Sequence, residues 1–435
     1  MTESFIKKFL AEQGGHRIGL LANQTAYSLQ DRAYTFQLLA RHCDSLRIFL
    51  PEHGLFAELQ DQIGLEETSA YAAFLGSEEN SRTEFLSLYG FKEKSLKPQS
   101  SRLSDLDWLI VDLQDVGSRY YTFLTTMFYC LQVIQELRGD GSHLRCLVLD
   151  RPNPLGRIVE GSILDQEYES FVGLPGVIHR HGLSTGEMAR LFCKWLGMDP
   201  AAVLVQTWGT AISDGHPPAS NLESQYLDGT SDGIDSRNEF LIYPSPNMPT
   251  LNTAMVYPGQ CLLEGTNLSE GRGCTRPFEI FGAPFLGPLV EQAPLFVPGA
   301  TLRPLRFMPT FHKHADLICE GFQLHITGPE FAPLFATLRI LRWIRSHIQE
   351  FQWKTEVYEF RSDRPAIELL AGDPWMLEYL RNSPAPSQNE LDNHDETLLQ
   401  HMSVQEAKWM QQTAYLWADQ TPLHSSSARI LQKFI

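Results

Sequence analysis

Short apolar runs alternate with helix-like segments over the first two hundred residues. After the third run, Phe123, Met127, Leu131 and Ile134 recur at three- and four-residue intervals, which predicts an amphipathic helix. Strands alternating with helices are typical of βαβ units in a parallel sheet. The predicted fold class is therefore α/β, with a Rossmann-like parallel-sheet N-terminal domain and a smaller α/β C-terminal domain. The predicted strands of that sheet are 17–22, 46–50, 107–111 and 144–149.

Further patterns place other elements in the first half of the chain. Asp31 is a good N-cap and predicts a helix that ends near Cys43. Ser184, with Glu187 three residues later, predicts a capping-box helix that ends near Leu196. Residues 203–207 read as another strand. The alternation is interrupted at 58–103, which we interpret as a surface insertion, and the polar tract 213–237 predicts a long loop.

A passage rich in proline and asparagine, 243–251, indicates a boundary between two domains. We place the Rossmann-like domain at residues 1–245 and the C-terminal domain, which completes a cleft, at residues 246–435. The elements predicted for the second domain are strands near 301–307 and 322–327, a helix over 330–351, helical segments near 365–382 and 403–417, and a polar loop over 384–396.

Polar side chains follow each predicted strand of the N-terminal sheet. The carboxyl ends of parallel strands meet at one edge, where open α/β sheets bind ligands. Glu52 could act there as a general acid or base, or it could merely cap the next helix. Asp112 and Asp115 cannot point the same way, and we favour Asp115 as the functional residue. The expected site residues at this edge are Asn23, Glu52, His53, Asp112, Gln114, Asp115, Arg119, Tyr121 and Arg151.

A second concentration of polar residues lies among the glycines of 264–273. Glycines let the backbone approach a ligand closely, although a purely structural loop explains them almost as well. Arginine can hold a carboxylate through two hydrogen bonds, and Arg119, Arg151 and Arg272 could do so, against the alternative of ion pairs within the protein. The expected binding residues in this half of the chain are Asn247, Glu264, Asn267, Glu270 and Arg272.

Composition and charge exclude several classes of function. A net charge of −17 disfavours nucleic acid and anionic membrane surfaces as partners. Seven cysteines without a Cys-x-x-Cys pair indicate free, mostly buried thiols. No glycine-rich dinucleotide or phosphate loop is present, and His53, His179 and His181 match no compact metal-ligand spacing. We expect no cofactor and no metal.

No membrane span or signal peptide is visible in the sequence. We therefore expect a cytoplasmic protein, or an exported one if the sequence is a trimmed form. The oligomeric state stays open.

Six motifs together resemble one family. They are Pro51-Glu-His-Gly54, Asp112-Leu-Gln-Asp-Val-Gly-Ser-Arg-Tyr-Tyr-Thr122, Asp150-Arg-Pro-Asn-Pro154, Pro244-Ser-Pro-Asn-Met-Pro249, Tyr257-Pro-Gly259 and 264–273. In this order, over roughly residues 16 to 375, they are similar to the DUF1343 family, which includes the exo-β-N-acetylmuramidases of the NamZ type, glycoside hydrolase family 171. The chain departs from the family at Cys274, where threonine is usual, and at Arg157, where glycine is usual.

The resemblance implies a hydrolase that releases N-acetylmuramic acid from the non-reducing ends of peptidoglycan fragments. It assigns the catalytic carboxylate to Glu52, and a second participant to an aspartate of the 112–115 motif. Retention, inversion and assistance by the acetamido group of the substrate all stay open. A metal-dependent amidase or deacetylase of amino sugars, and a non-catalytic muropeptide-binding protein, are the alternatives.

Overall fold

The computed structural model describes residues 1–60, 63–65, 68–207, 242–292, 294–417 and 422–434. Its strands are numbered here in chain order. They are β1 Arg17–Ala22, β2 Tyr27–Ser28, β3 Ala33–Tyr34, β4 Ser45–Leu50, β5 Thr83–Ser87, β6 Trp108–Asp112, β7 Arg145–Asp150, β8 Ile158–Ile163, β9 Ile178–Arg180, β10 Val203–Thr207, β11 Ile280–Ala283, β12 Ala300–Phe307, β13 Cys319–Ile326 and β14 His424–Ser425.

The central feature is a six-stranded parallel sheet with the order β10-β7-β6-β1-β4-β5. Successive side chains of a strand point to opposite faces of the sheet. Because both faces carry apolar side chains, helices pack on both of them. Leu20 and Ile110 belong to a core shared with the helices Glu3–Gln13 and Thr35–Ala40. Leu21 and Val111, one position later, pack against the helices Phe123–Gly139 and Thr185–Trp195. The predicted α/β, Rossmann-like fold class is confirmed.

Several sequence predictions in this half need correction. The helix predicted from Asp31 begins only at Thr35, because residues 27–34 form the hairpin of β2 and β3. The presumed insertion 58–103 contains β5, which pairs in parallel with β4 and extends the sheet. By contrast, the capping box of Ser184 and Glu187 is present as predicted. The polar tract 213–237 lies outside the described residues.

The remaining part of the chain forms smaller sheets packed with helices. An antiparallel sheet has the order β11-β13-β12, and a further sheet has the order β14-β8-β9. The helices of at least six residues in this part are Leu251–Gln260, Pro333–His347, Ala366–Ala371, Pro374–Asn382, Asn393–Thr413 and Ser426–Phe434.

Two helix predictions in the second half are wrong in detail. The segment 365–382 forms two helices, because Gly372 adopts a left-handed φ of 55° and Asp373 caps the second helix. The helix predicted at 403–417 begins at Asn393, inside the presumed polar loop. Asp392 and Asp395 form the capping box that starts it, so acids read as loop residues are in fact a helix N-terminus.

The thiols and the helices agree with the composition. The seven cysteines are free, and all except the partly exposed Cys274 are buried. Within the described ranges, no helix is both long and apolar enough to cross a membrane.

Candidate active site

A cleft lies beyond the carboxyl ends of the parallel strands, between the motif that follows β6 and the second half of the chain. Its empty space is about 460 Å³, including the part open to solvent. The lining residues are Glu52, His53, Tyr120, Tyr121, Thr122, Val172, Ser245, Asn247, Met248, Tyr257, Glu264, Arg272, Phe278, Tyr358 and Glu359.

Glu52 and His53 enter the cleft from the turn that follows β4. Glu52 is 5% exposed, and its Oε2 accepts a hydrogen bond of 2.9 Å from the Thr122 hydroxyl. His53 has a φ of 75°, which residues other than glycine rarely adopt. Its Nδ1 lies 3.0 Å from the Leu59 carbonyl oxygen. Strained backbone of this kind concentrates at functional sites.

Four tyrosines supply neutral hydroxyl groups around the cleft. Burial raises the pKa of Tyr120, Tyr121, Tyr257 and Tyr358 well above the ordinary value. For Tyr121, the nearby charges of Asp115 and Glu52 act in the same direction. These hydroxyls therefore stay protonated at neutral pH. Those that do not already donate within the protein, as Tyr358 does to Glu264, can donate hydrogen bonds to a saccharide.

Arg272 and Glu264 form a buried ion pair on the wall of the cleft. Arg272 Nη2 donates to Glu264 Oε1 over 2.7 Å, and the Tyr358 hydroxyl donates to Glu264 Oε2 over 2.6 Å. The Arg272 guanidinium also lies 4.9 Å from the centre of the Phe278 ring. Among the described residues that line the cleft, Arg272 is the only arginine or lysine.

Asp112 and Arg151 lie behind the cleft instead of in it. Asp112 is fully buried and accepts from Arg151 Nε at 3.0 Å and Nη2 at 2.6 Å. Burial would raise the pKa of Asp112, but the guanidinium of Arg151 and the amino group of Met1, 3.7 Å away, hold it below the ordinary value. The Thr35 hydroxyl also donates to Asp112. This network ties β6 to the ends of its neighbouring strands.

Asp115 and Gln114 lie in the turn between β6 and the following helix. Asp115 Oδ2 accepts from the Gly117 amide at 2.7 Å and lies 3.1 Å from His181 Nε2. Its Oδ1 is buried and has no hydrogen-bond partner within the described part of the chain. Gln114 donates to the carbonyls of Asp115 and Pro152. Neither side chain is part of the cleft lining, although Asp115 lies close enough to affect Tyr121.

Arg119 points into the protein core, away from the cleft. Its guanidinium donates to the carbonyls of Ser162, Leu370 and Ala371 at 2.9 to 3.0 Å and lies 2.9 Å from His179 Nε2. Burial lowers the pKa of Arg119 to about 10. Burial and the charge of Arg119 hold the pKa of His179 well below its ordinary value, so His179 is neutral.

The remaining predicted residues mostly shape the cleft from outside. Asn23 donates to the Pro244 carbonyl at 2.8 Å and thereby holds the segment that carries Asn247, which lines the cleft. Asn267 bonds the backbone of Glu350 and Gln352.

Glu270 is fully buried behind Arg272. Burial would raise its pKa, but Lys313, His312 and Arg272 hold the pKa far below the ordinary value.

The predicted site residues thus divide into two groups. Six line the cleft, namely Glu52, His53, Tyr121, Asn247, Glu264 and Arg272. Eight do not, namely Asn23, Asp112, Gln114, Asp115, Arg119, Arg151, Asn267 and Glu270. Sequence reasoning missed Tyr120, Thr122, Ser245 and Tyr257, although each belongs to a motif quoted above. It also missed Tyr358 and Glu359, which no pattern in the sequence marks.

No group of three His, Cys, Asp or Glu side chains in the described ranges could hold a metal ion.

The comparisons with known proteins agree with one another. The family model described as exo-beta-N-acetylmuramidase NamZ, N-terminal, matches residues 18–252, and the corresponding C-terminal model matches residues 255–413. The peptidoglycan beta-N-acetylmuramidase NamZ of Bacillus subtilis (strain 168) is 33% identical over 405 residues, which are 92% of this chain and 87% of that protein.

Two crystal structures of DUF1343 family proteins from Bacteroides fragilis share the fold. The first has a TM-score of 0.65 at 21% identity and covers 95% of this chain and 96% of its own. The second has a TM-score of 0.57 at 22% identity and covers 95% of each chain.

Proposed function

The chain belongs to the exo-β-N-acetylmuramidase NamZ family, and from this premise we propose how its cleft releases N-acetylmuramic acid from the non-reducing end of a peptidoglycan fragment. The protein is a glycosidase, and its substrate is a peptidoglycan saccharide. Neither a metal-dependent amidase nor a non-catalytic binding protein is favoured, because the family and the Bacillus relative are both muramidases. The observation that carries the mechanism is the buried Glu52 carboxyl on the cleft wall.

Glu52 is the proposed general acid and base. A glycosidase must protonate the oxygen that leaves with the rest of the glycan while the bond from that oxygen to the anomeric carbon breaks. Glu52 borders the cleft, and the Thr122 hydroxyl fixes its Oε2. Its proton passes to the leaving oxygen, and the carboxylate then accepts a proton from the water that adds to the anomeric carbon.

Asp115 is the proposed second participant, and it acts from behind the cleft wall. The Gly117 amide and His181 fix one of its oxygens, while the other is buried without a hydrogen-bond partner in the described ranges. Its charge lies near the Tyr121 hydroxyl, which lines the cleft. Asp115 is therefore a positioning residue for Tyr121 and, through it, for the acetamido group of the substrate.

Arg272 is the proposed reader of the lactyl carboxylate, the group that distinguishes N-acetylmuramic acid from N-acetylglucosamine. The cleft is otherwise rich in carboxylates, with Glu52, Glu264 and Glu359 on its walls, so an anionic ligand needs a cation within it. Arg272 Nη2 bonds Glu264 and its Nε lies 3.3 Å from Glu270 Oε1, and a planar guanidinium with five N–H donors can bind a lactyl carboxylate beside these two acids. We retain the division into domains 1–245 and 246–435, with the cleft between them, as part of this proposal.

The test is turnover by Glu52→Gln of a chromogenic N-acetylmuramide, with release of N-acetylmuramic acid from glycan ends measured in parallel. Glutamine can still accept from Thr122, so the fold should survive, but it cannot deliver a proton. We expect kcat to fall by about 10²- to 10⁴-fold. Glu78→Gln, which changes a carboxylate that is 83% exposed, is the matched control. Wild-type turnover by a folded Glu52→Gln protein would refute the assignment.

A further inference from the structure

A second pocket adjoins the cleft, and Glu359 lines both. Its empty space is about 670 Å³, again including the part open to solvent. Glu359 is 7% exposed and accepts a hydrogen bond of 3.1 Å from the Tyr89 hydroxyl, so its side chain is fixed between the two spaces. Its φ of 46° and the 67° of Phe360 show that this partition has an unusual backbone. The other lining residues are Glu93, Leu96, Tyr129, Gln166, Glu167, Glu169, Ser170, Phe171 and Arg361.

One polar group in this pocket lacks a partner. Ser170 is 6% exposed, and its hydroxyl has no hydrogen-bond partner in the part of the chain that the structure describes. Its backbone is held by two hydrogen bonds of 3.1 Å with Gly173, so the side chain keeps its place. Buried hydroxyl groups in native proteins almost always have partners. A ligand in the pocket would supply the missing one.

The charge of the pocket is negative. Four carboxylates line it, from Glu93, Glu167, Glu169 and Glu359, and Glu167 is paired with Arg364 at 3.0 Å. The guanidinium that lines it, from Arg361, is paired with Asp363 at 2.7 Å. Tyr129, stacked on Phe171 with ring centres 6.5 Å apart, adds an aromatic surface to the same pocket. Such a pocket repels a lactyl carboxylate and attracts an ammonium group.

We propose that this second pocket binds the sugar on the leaving side of the scissile bond, and that it prefers a lactyl-free sugar with an unacetylated 2-amino group. The inference rests on the proposed function, in which the cleft holds the terminal N-acetylmuramic acid. In an alternating glycan the next sugar carries no lactyl group, so the opposite charge preferences of Arg272 and of this pocket would fix the register of the substrate. The Ser170 hydroxyl and the carboxylates then bind the hydroxyl and amino groups of that sugar.

The test compares two disaccharides, N-acetylmuramyl-β-1,4-glucosamine and N-acetylmuramyl-β-1,4-N-acetylglucosamine, with a chromogenic muramide that has no second sugar. We expect kcat/KM to be about tenfold higher for the disaccharide with the free amine, because charge-assisted hydrogen bonds are the stronger ones. The preference should shrink at high ionic strength and fall several-fold in Glu169→Gln. In Ser170→Ala, the ratio of kcat/KM for a disaccharide to that for the chromogenic muramide should fall by about five- to tenfold. Glu78→Gln should leave both ratios unchanged.

Equal kcat/KM values for the two disaccharides in the unmodified protein would overturn the proposal, as would an unchanged ratio in Ser170→Ala. A direct measurement separates this failure from a failure of the proposed function. Calorimetry with the cleft saturated by N-acetylmuramic acid should detect binding of glucosamine that is weaker for N-acetylglucosamine and weaker in Ser170→Ala. Turnover of the chromogenic muramide without any such discrimination would reject the second pocket and leave the proposed function intact.

Discussion

Arg272 gives the sharpest prediction, because it contributes to stability and to recognition through different contacts. Its pair with Glu264 is buried on both sides, with each side chain 7% exposed. Removing one partner of a buried pair leaves an uncompensated charge and costs about 3–5 kcal/mol of folding free energy. Arg272→Ala should therefore lose stability because, within the described part of the chain, Glu264 keeps only the hydrogen bond from Tyr358.

Recognition can be separated from stability by two further variants. In the double variant Arg272→Met with Glu264→Gln, position 264 carries no charge and Glu270 keeps its contacts with His312 and Lys313, so the free energy of unfolding in urea should recover most of the loss. In Arg272→Lys the cation stays but the planar fork is lost. Both variants should lose about 1.5–3 kcal/mol of transition-state binding to the muramide, the range for a hydrogen bond to a charged group. That loss corresponds to about 10- to 150-fold in kcat/KM.

The assay compares kcat/KM for a chromogenic muramide and for the matching glucosaminide at one pH, on protein shown to be folded. If Arg272 binds the lactyl carboxylate, only the muramide value falls strongly. Equal losses on both sugars in Arg272→Lys would show that the arginine does not distinguish them. Recovery of muramide selectivity in the double variant would refute the reasoning as well, because that variant has no cation at this position.

Two further predictions concern carboxylates outside the cleft. Asp112→Asn should lower the melting temperature more than kcat, because it weakens the ion pair with Arg151. Asp115→Asn should instead lower kcat more than the melting temperature. Thermal melts and turnover assays of both variants test this, and the reverse pattern would contradict it. Burial raises the pKa of Glu160 to about 8, so the folded state holds a proton that the unfolded state, with an ordinary pKa near 4.5, releases. Stability should therefore fall as pH rises between these two values, at up to about 1.4 kcal/mol per pH unit, and level off above pH 8. Glu160→Gln should flatten that decline in urea titrations, and an unchanged pH dependence would contradict the assignment.

The inner strands β1, β4, β6 and β7 could be predicted from the sequence because they are largely buried and therefore read as apolar runs. β5 escaped prediction because its sequence, Thr-Glu-Phe-Leu-Ser, has no such run, and only its middle residue, Phe85, is buried. The helix Asn393–Thr413 was misplaced because its first turn is rich in acids and amides, which are common to loops and helix N-termini. A capping box becomes visible there only once the tertiary contacts of Asp395 with Arg339 and Arg342 are known.

The cleft was predictable where its residues follow strands, as Glu52 does after β4. Sequence reasoning could not separate the three arginines, since each lies in a similar polar motif. Their roles follow from side-chain direction: Arg119 turns toward backbone carbonyls, Arg151 toward Asp112, and Arg272 toward the cleft. Tyr358 could not be identified because its position depends on long-range packing against Glu264, 94 residues earlier.

The backbone carbonyls that bind Arg119 affect how the cleft binds its substrate. Arg119, in the turn after β6, donates hydrogen bonds to the last carbonyls of the helix Ala366–Ala371, of which Leu370 is 251 residues away. A Cβ on Gly372 would lie 2.7 Å from Arg119 Nη2. This contact fastens the turn that carries Tyr120 and Tyr121 to the second half of the chain when the chain folds. The conformational entropy of bringing them together is therefore lost during folding. No further loss of this kind occurs when a sugar binds. A single terminal sugar makes few contacts with the protein. Its affinity therefore depends on a binding site that is already assembled.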